Sequence, residues 1–217
     1  LQLCEMMDKV ILDCTKNNRA QLANRFFVEG DPAALLMLQV SAHTKKELED
    51  AIAALQKTIA NSGLSYANPV LYGDQIAKAI ELRKAGLGLL GNIVGDMKAV
   101  ACIEDTAVAL PDLKDFIAEF SLIMKGYGQS AVYYAHAGAG ELHLRPIRAI
   151  TTDVAKLTKK YKGSFSGEHG DGIVRAEFIP LMIGQKNYEL LRRIKSYFDP
   201  KGIFNPGKIV DAYPMDQ

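Results

Sequence analysis

The chain has 217 residues, 48% of them apolar and 24% charged, with a net charge of +1, enough for one well-buried domain or one domain with small appendages. That balance holds no basic excess to displace counterions from a phosphate backbone, which argues against nucleic acid as a partner. No apolar run approaches the ~20 residues of a bilayer span, and the acids within Leu1–Asp8 stand where a signal peptide has its basic start.

Cys4, Cys14 and Cys102 are odd in number and scattered, which argues against a disulfide framework and for a reducing compartment. The first residue is Leu rather than Met, so the chain reads as a processed protein or as a piece of a longer one.

In chain order, Leu3, Met6, Met7, Val10 and Ile11 recur at a helical period over Leu3–Thr15. The partners of that stripe are expected outside the chain. Leu35–Val40 reads as a buried strand after Asp31-Pro32. Thr44 with Glu47 forms a capping box, and Leu48, Ile52, Leu55 and Ile59 give the helix it opens a buried stripe. Asn61-Ser62-Gly63 ends that helix. Pro69–Tyr72 reads as a second strand, and Asp74 starts a helix through Ile76, Ile80 and Arg83.

The stretch from Ala85 to Gly91 looks too rich in glycine for a regular helix. Lys98–Ile103 reads as a strand. Pro111 opens a helix with Leu113, Phe116, Ile117, Phe120, Ile123 and Met124 on one face, closed by Gly126 and Gly128. Ala131–Tyr134 leads as a strand into a glycine-rich loop, a basic helix runs from Asp153 to Lys162, and a last helix from Lys186 to Phe198. From Phe198 to Lys208 the composition is turn chemistry. The repeated order strand, helix, strand is the split pattern of a ferredoxin-like fold. The expected class is α+β, an antiparallel sheet with helices on one face and a C-terminal helical extension.

Three of the four histidines lie in two glycine-rich stretches, Ala135–His143 and Gly167–Gly172. Glycine permits tight turns and close approach, and histidine moves protons or holds a metal near neutral pH. This pairing of features suggests one site built from two loops. A hairpin turning at Ala139-Gly140 would set His136 opposite His143, with Cβ atoms ~5 Å apart. Two readings stay open there: a shared divalent metal, or polar pairing on a half-buried sheet face.

In the second stretch Glu168 and His169 are adjacent, and adjacent strand residues point to opposite faces. Both reach one site only if the backbone kinks. A carboxylate there suits a His-His-Glu metal set and the imidazole suits proton removal, while the alternative is a plain exposed turn.

These motifs together resemble a known family. Phe198–Val210 resembles the closing motif of flavin-linked oxidases of the vanillyl-alcohol-oxidase type, Ser166–Gly172 their Glu-His-Gly motif, and Ala135–His143 their first histidine loop. The match is closest to the C-terminal substrate domain of glycolate oxidase, D-lactate dehydrogenase and D-2-hydroxyglutarate dehydrogenase. Tyr134–Pro146 and Arg83–Leu89 resemble the branch fused to an iron–sulfur module.

The resemblance implies an FAD-dependent 2-hydroxy-acid dehydrogenase acting on a D-2-hydroxy acid of the lactate, glycolate or 2-hydroxyglutarate class. It implies metal ligands at His136, His143 and Glu168 for a divalent ion such as zinc, a base at His169, substrate contacts at Arg83 and Lys98, and flavin contacts at Asn205 and Lys208. It further implies a flavin-binding domain on the same polypeptide, any iron–sulfur cluster elsewhere in it, and an electron acceptor of unknown kind. The location implied is the cytoplasm, either free or at the periphery of the inner membrane.

The sequence departs from the pattern at Ala139, where most relatives carry Asp, at Glu141, where Asn or Asp is usual, and at Arg145, where simpler dehydrogenases often have an Asn that touches substrate; Arg145 is itself expected as a candidate contact to the substrate carboxylate. Nothing before Ala33 resembles the flavin-binding domain, so residues 1–30 are expected to form a helical link to it and residues 31–217 the substrate domain. Alone, the chain is expected to bind flavin weakly and turn nothing over. A ferredoxin-like module that binds a metal or small acid without catalysis is the alternative, since such folds host many functions.

Overall fold

The computed structural model describes residues 1–16, 18–89, 103–129, 131–144 and 148–215. The chain divides into two compact units, Leu1–Lys98 with His136–Gly138, and Ala99–Ala135 with Ala139–Gln217. The class is α+β, with antiparallel strand pairing and helices throughout.

The first unit opens on a strand. β1 (Leu3–Asp8) pairs antiparallel with β2 (Ala34–Gln39), from Leu3↔Gln39 to Asp8↔Ala34. Only the second half of the expected helix forms, as α1 (Lys9–Lys16). In β1 the burial alternates, with Glu5 and Met7 turned inward, and the Asp8 carboxylate then accepts the Ile11 N–H at 3.1 Å to start the helix. The apolar residues that looked like one helical stripe are split between two elements.

The partners of this segment lie within the chain, not outside it. Ile11 and Leu12 of α1 are buried and pack against α4 (Asp74–Leu89). That helix continues through Gly86 and Gly88 to Leu89, the rest of the glycine-rich stretch lying outside the described residues; Gly86 is what lets α4 lie on α1, since a Cβ there would stand 2.6 Å from Ile11 Cγ2. Between them, after the short α2 (Arg19–Leu22), comes α3 (Lys45–Ser62). Its capping box at Thr44 and Glu47 and the left-handed Gly63 cap form as the sequence predicts. The stripe of Leu48, Ile52, Leu55 and Ile59 is half-buried rather than buried. The segment Pro69–Tyr72 is irregular, not a strand; Pro69 has no N–H to give a ladder, and Val70 and Tyr72 are exposed.

In the second unit β3 (Ile103–Ala107) pairs antiparallel with β5 (Glu141–Leu144); β4 (Tyr134–His136), of which Tyr134 and Ala135 belong to this unit, is a neighbour of β5. The ladder shifts register between Ile103 and Thr106, a bulge that leaves Asp105 in the left-handed region at φ 75. Of the expected strand Lys98–Ile103, the part before Ile103 lies outside the described residues. α5 (Leu113–Gly126) buries Phe116, Phe120 and Met124 against α6 (Arg148–Lys160), where Val154 and Ala155 are fully buried.

Tyr161 and Tyr133 stand edge-on to Phe116 and Phe120, with centroids 5.8 and 6.0 Å apart. α6 starts before the predicted Asp153, since Ile150 and Thr151 already face the core. α7 (Ile179–Ile183) and α8 (Gln185–Phe198) form the C-terminal extension, joined through Ala176, Ile179 and Tyr188. No helix among the described residues is long and apolar enough to cross a membrane.

Candidate functional site

In the first unit the site residues gather on Glu5 of β1. Its carboxylate pairs with the Arg83 guanidinium of α4 and, through Oε1, meets His136 Nδ1 at 3.0 Å. Glu5 and Arg83 have side chains only 11% and 12% exposed, against 34% for His136, so the pair is largely withdrawn from water and the imidazole borders it. A carboxylate neutralised by a guanidinium is ionised and accepts only. Nδ1 therefore carries a proton and donates it to Glu5 Oε1. This is the arrangement found behind metal-ligating histidines, where a carboxylate fixes the tautomer and raises the basicity of the ligating nitrogen.

Arg83, expected to clamp a substrate carboxylate, here grips a carboxylate of the protein. The turn after His136 is wider than a two-residue hairpin. Ala137–Ala139 form a 3-10 turn and Gly140 follows at φ +72. His143 lies in β5, with its side chain outside the described residues; Lys98 and Arg145 lie outside them altogether.

In the second unit the Gly167–Gly172 loop is a held structure rather than a plain surface turn. The backbone N–H groups of Glu168 and His169 both donate to the Asp105 carboxylate, each at 2.7 Å, and Ser166 Oγ donates to it at 2.6 Å. Two successive N–H groups converging on one acceptor bend the backbone, as in an anion-binding nest. With that bend the two side chains come to one side, Glu168 Oε1 lying 3.1 Å from His169 Nε2, each 53% exposed. Gly170 and Gly172 carry the return of the chain at φ 78 and 56.

Asp171 is half-buried; burial pushes its carboxyl up, Arg175 opposes the rise and Asp105 adds to it. Asn205 and Lys208 sit exposed on the turn after α8. That turn is built on Asp199, whose buried carboxylate accepts the Ile203 and Phe204 N–H groups at 2.9 Å and the Lys195 ammonium. Lys195 first, then the two N–H groups, hold the Asp199 carboxyl below its usual range.

Among the described residues no group of three His, Cys, Asp or Glu side chains gathers to hold a metal. Sequence reasoning missed Glu5, Asp105, Arg175 and Asp199, the groups that organise these segments. The signal available was an acid within an apolar strand, as in Cys4-Glu5-Met6 and Ile103-Glu104-Asp105. An inward-facing acid there is costly unless something answers it.

The family described as FAD linked oxidases, C-terminal domain, matches residues 1–209. The chain is similar to D-2-hydroxyglutarate dehydrogenase of Pseudomonas putida, 38% identical over 63% of this chain and 14% of that protein. It is similar to the protein of the same name from Haemophilus influenzae, 29% identical over 98% of this chain and 22% of the relative. With D-lactate dehydrogenase of Anaerostipes hadrus it shares 26% identity over 96% of this chain and 46% of that protein. The chain thus spans less than half the length of each of these relatives. With nearly its whole length matched, it belongs to the family of FAD linked oxidase C-terminal domains.

Proposed function

We infer that the chain is the substrate-side domain of an FAD-dependent 2-hydroxy-acid dehydrogenase, which takes a D-2-hydroxy acid to the 2-oxo acid. Within that class 2-hydroxyglutarate leads over lactate and glycolate, because relatives sharing 38% and 39% identity carry its name. The observation that carries the reading is the family match over residues 1–209. The ordered pair Glu168–His169 supports it.

FAD, when bound, would supply the hydride acceptor, with an electron acceptor other than a pyridine nucleotide beyond it. The chain's own part is to bind the hydroxy acid and move its proton. His169 takes the hydroxyl proton, with Glu168 beside the ring to steady the imidazolium that results. Asn205 and Lys208 present polar groups on a turn ordered by Asp199, which fits a contact to the flavin.

A divalent ion such as zinc is part of the proposal, and one of its three donors has support in the structure. His136 is backed by Glu5, while the ligand roles of His143 and Glu168 rest on the motifs alone. Such an ion, held by these residues, would polarise the substrate oxygen and lower the pKa of its hydroxyl. Lys98 keeps the substrate-carboxylate role on the same motif grounds, and Arg145, which departs from the motif, is offered for it by its charge and fork alone. Arg83 contributes through Glu5.

The test uses the full-length polypeptide that contains this chain. Mixing it anaerobically with D-2-hydroxyglutarate should bleach the oxidised flavin band faster than D-lactate or glycolate does. His169→Ala should slow bleaching by about 100-fold or more with the melting temperature unchanged. No bleaching by any of the three acids would sink the dehydrogenase reading, and undiminished bleaching in His169→Ala would remove the base.

A further inference from the structure

A fully buried carboxylate is costly, and an ion pair in the interior can often be replaced by apolar side chains without loss. The second unit nonetheless keeps Asp105 at 0% exposure and Arg175 at 7%, their charged groups 3.7 Å apart. Asp105 also holds a left-handed backbone at φ 75, in the register shift of β3. A non-glycine residue in that region is strained, and such strain concentrates where geometry serves function.

Between them the pair grips one loop. Asp105 takes its N–H groups: Oδ1 accepts from Glu168, and Oδ2 accepts from His169 and from the Ser166 hydroxyl. The Asp105 carbonyl adds the Gly167 N–H. Arg175 takes the loop's carbonyls, donating to Phe165 O at 3.4 Å and to Gly170 O, with Ser166 Oγ at 3.4 Å. The grip thus spans residues 165–170 and acts on their backbone. Side chains of adjacent residues diverge in an extended strand. Here the convergence of two N–H groups on one carboxylate turns Glu168 and His169 to the same side.

We propose that Asp105 and Arg175 are a positioning pair for the Glu168–His169 unit, setting the direction in which its base and carboxylate point. The proposal rests on the dehydrogenase reading given above and deepens it. Neither member touches substrate; each acts through the loop. Only an aspartate meets the demand at position 105. It tolerates the left-handed region better than most side chains, and its two acceptor-only oxygens match two N–H donors. Asparagine would turn an NH2 group toward one of those donors.

The experiment uses Asp105→Asn in the full-length flavoprotein, with two readouts. Hydrogen exchange of the peptide spanning residues 164–172 should accelerate at least about 10-fold, while the α5 peptide around Phe116 and Phe120 is unchanged. The limiting rate of flavin reduction should fall by about 100-fold, the scale of a misplaced reacting group, with KM altered less than about threefold. Arg175→Lys, which keeps the charge but loses the forked grip, should move both readouts in the same direction and serves where Asp105→Asn fails to fold. Unchanged loop exchange overturns the proposal. So does faster exchange with an undiminished limiting rate, or a loss confined to KM. A wild-type flavin that no D-2-hydroxy acid reduces defeats the dehydrogenase reading instead, and the exchange measurement then still decides whether the pair holds the loop.

Discussion

Gly140, which follows the 3-10 turn after His136, tests how tightly the backbone closes around the first histidine loop. It is buried at φ +72, its carbonyl accepts the Val108 N–H at 3.1 Å, and a Cβ would fall inside 3.0 Å of Val108 O and 3.3 Å from its carbonyl carbon. Gly140→Ala therefore carries two separable penalties. The left-handed backbone costs an alanine about 1–2 kcal/mol. The contact falls on backbone, which cannot rotate away as a side chain does, and forcing it apart adds about 1–3 kcal/mol.

Gly128 supplies the control, since it has φ +63 with nothing within 4 Å of an added Cβ. Gly128→Ala should lose only the first part. For a chain of this size each kcal/mol corresponds to roughly 2–4 °C in melting temperature. Gly140→Ala should thus melt roughly 4–20 °C below the parent and clearly below Gly128→Ala. Thermal melts of the three proteins followed by circular dichroism decide the matter. Equal losses in the two variants would refute the close approach to Val108.

Gly86→Ala places a Cβ 2.6 Å from Ile11 Cγ2 and should cost about 1–3 kcal/mol in urea titrations. Because the clash is with the Cγ2 branch of a side chain, Ile11→Leu, which removes that branch and keeps the volume, should recover part of it in the same protein; no recovery would move the cause elsewhere. The Glu119 carboxylate, hydrogen-bonded to the Tyr161 hydroxyl, pushes that phenol from its ordinary 10.0 up to about 12. The folded chain then keeps a proton that the unfolded chain gives up, so this group's stabilisation is present below pH 10 and is lost as pH rises toward 12. Tyr161→Phe should flatten that part of the alkaline decline, and a wild-type-to-variant difference in urea midpoint that stays constant between pH 9 and 12 would contradict it.

Legibility followed locality. The capping box at Thr44, the α5 face of Phe116 and Phe120, the β2 run and the α8 helix are local patterns, and each forms where the pattern stands. Failures came where a distant segment decided. Leu3–Asp8 has helical spacing but is drawn into pairing with β2, some 30 residues on. The glycines at 86 and 88 lower helix propensity by about 1 kcal/mol each, yet α4 continues through them because Gly86 lets α1 approach. The motif loops announced themselves through glycine and histidine. What holds them did not, because Glu5 is 131 residues from His136 and Asp105 is 63 and 64 residues from its backbone partners.

One device recurs in the second unit, and it bears on how far a motif alone can be trusted. Asp105 and Asp199 are buried acids that each gather two successive backbone N–H groups, those of Glu168 and His169 in one case and of Ile203 and Phe204 in the other. In both, the side chains exposed beside the anchor, His169 and Asn205, are among the candidate residues read from the sequence. Glycine in these loops only permits the sharp turn; it does not choose one of the many backbone states open to it. The choice is made by an acceptor with two lone-pair-bearing oxygens at a fixed place. A chain that keeps Gly167–Gly172 but lacks the acid at 105 would have the motif without its geometry. The Glu-His-Gly sequence is then a necessary part of the candidate site, and the aspartate on the β3 bulge is what makes its direction specific.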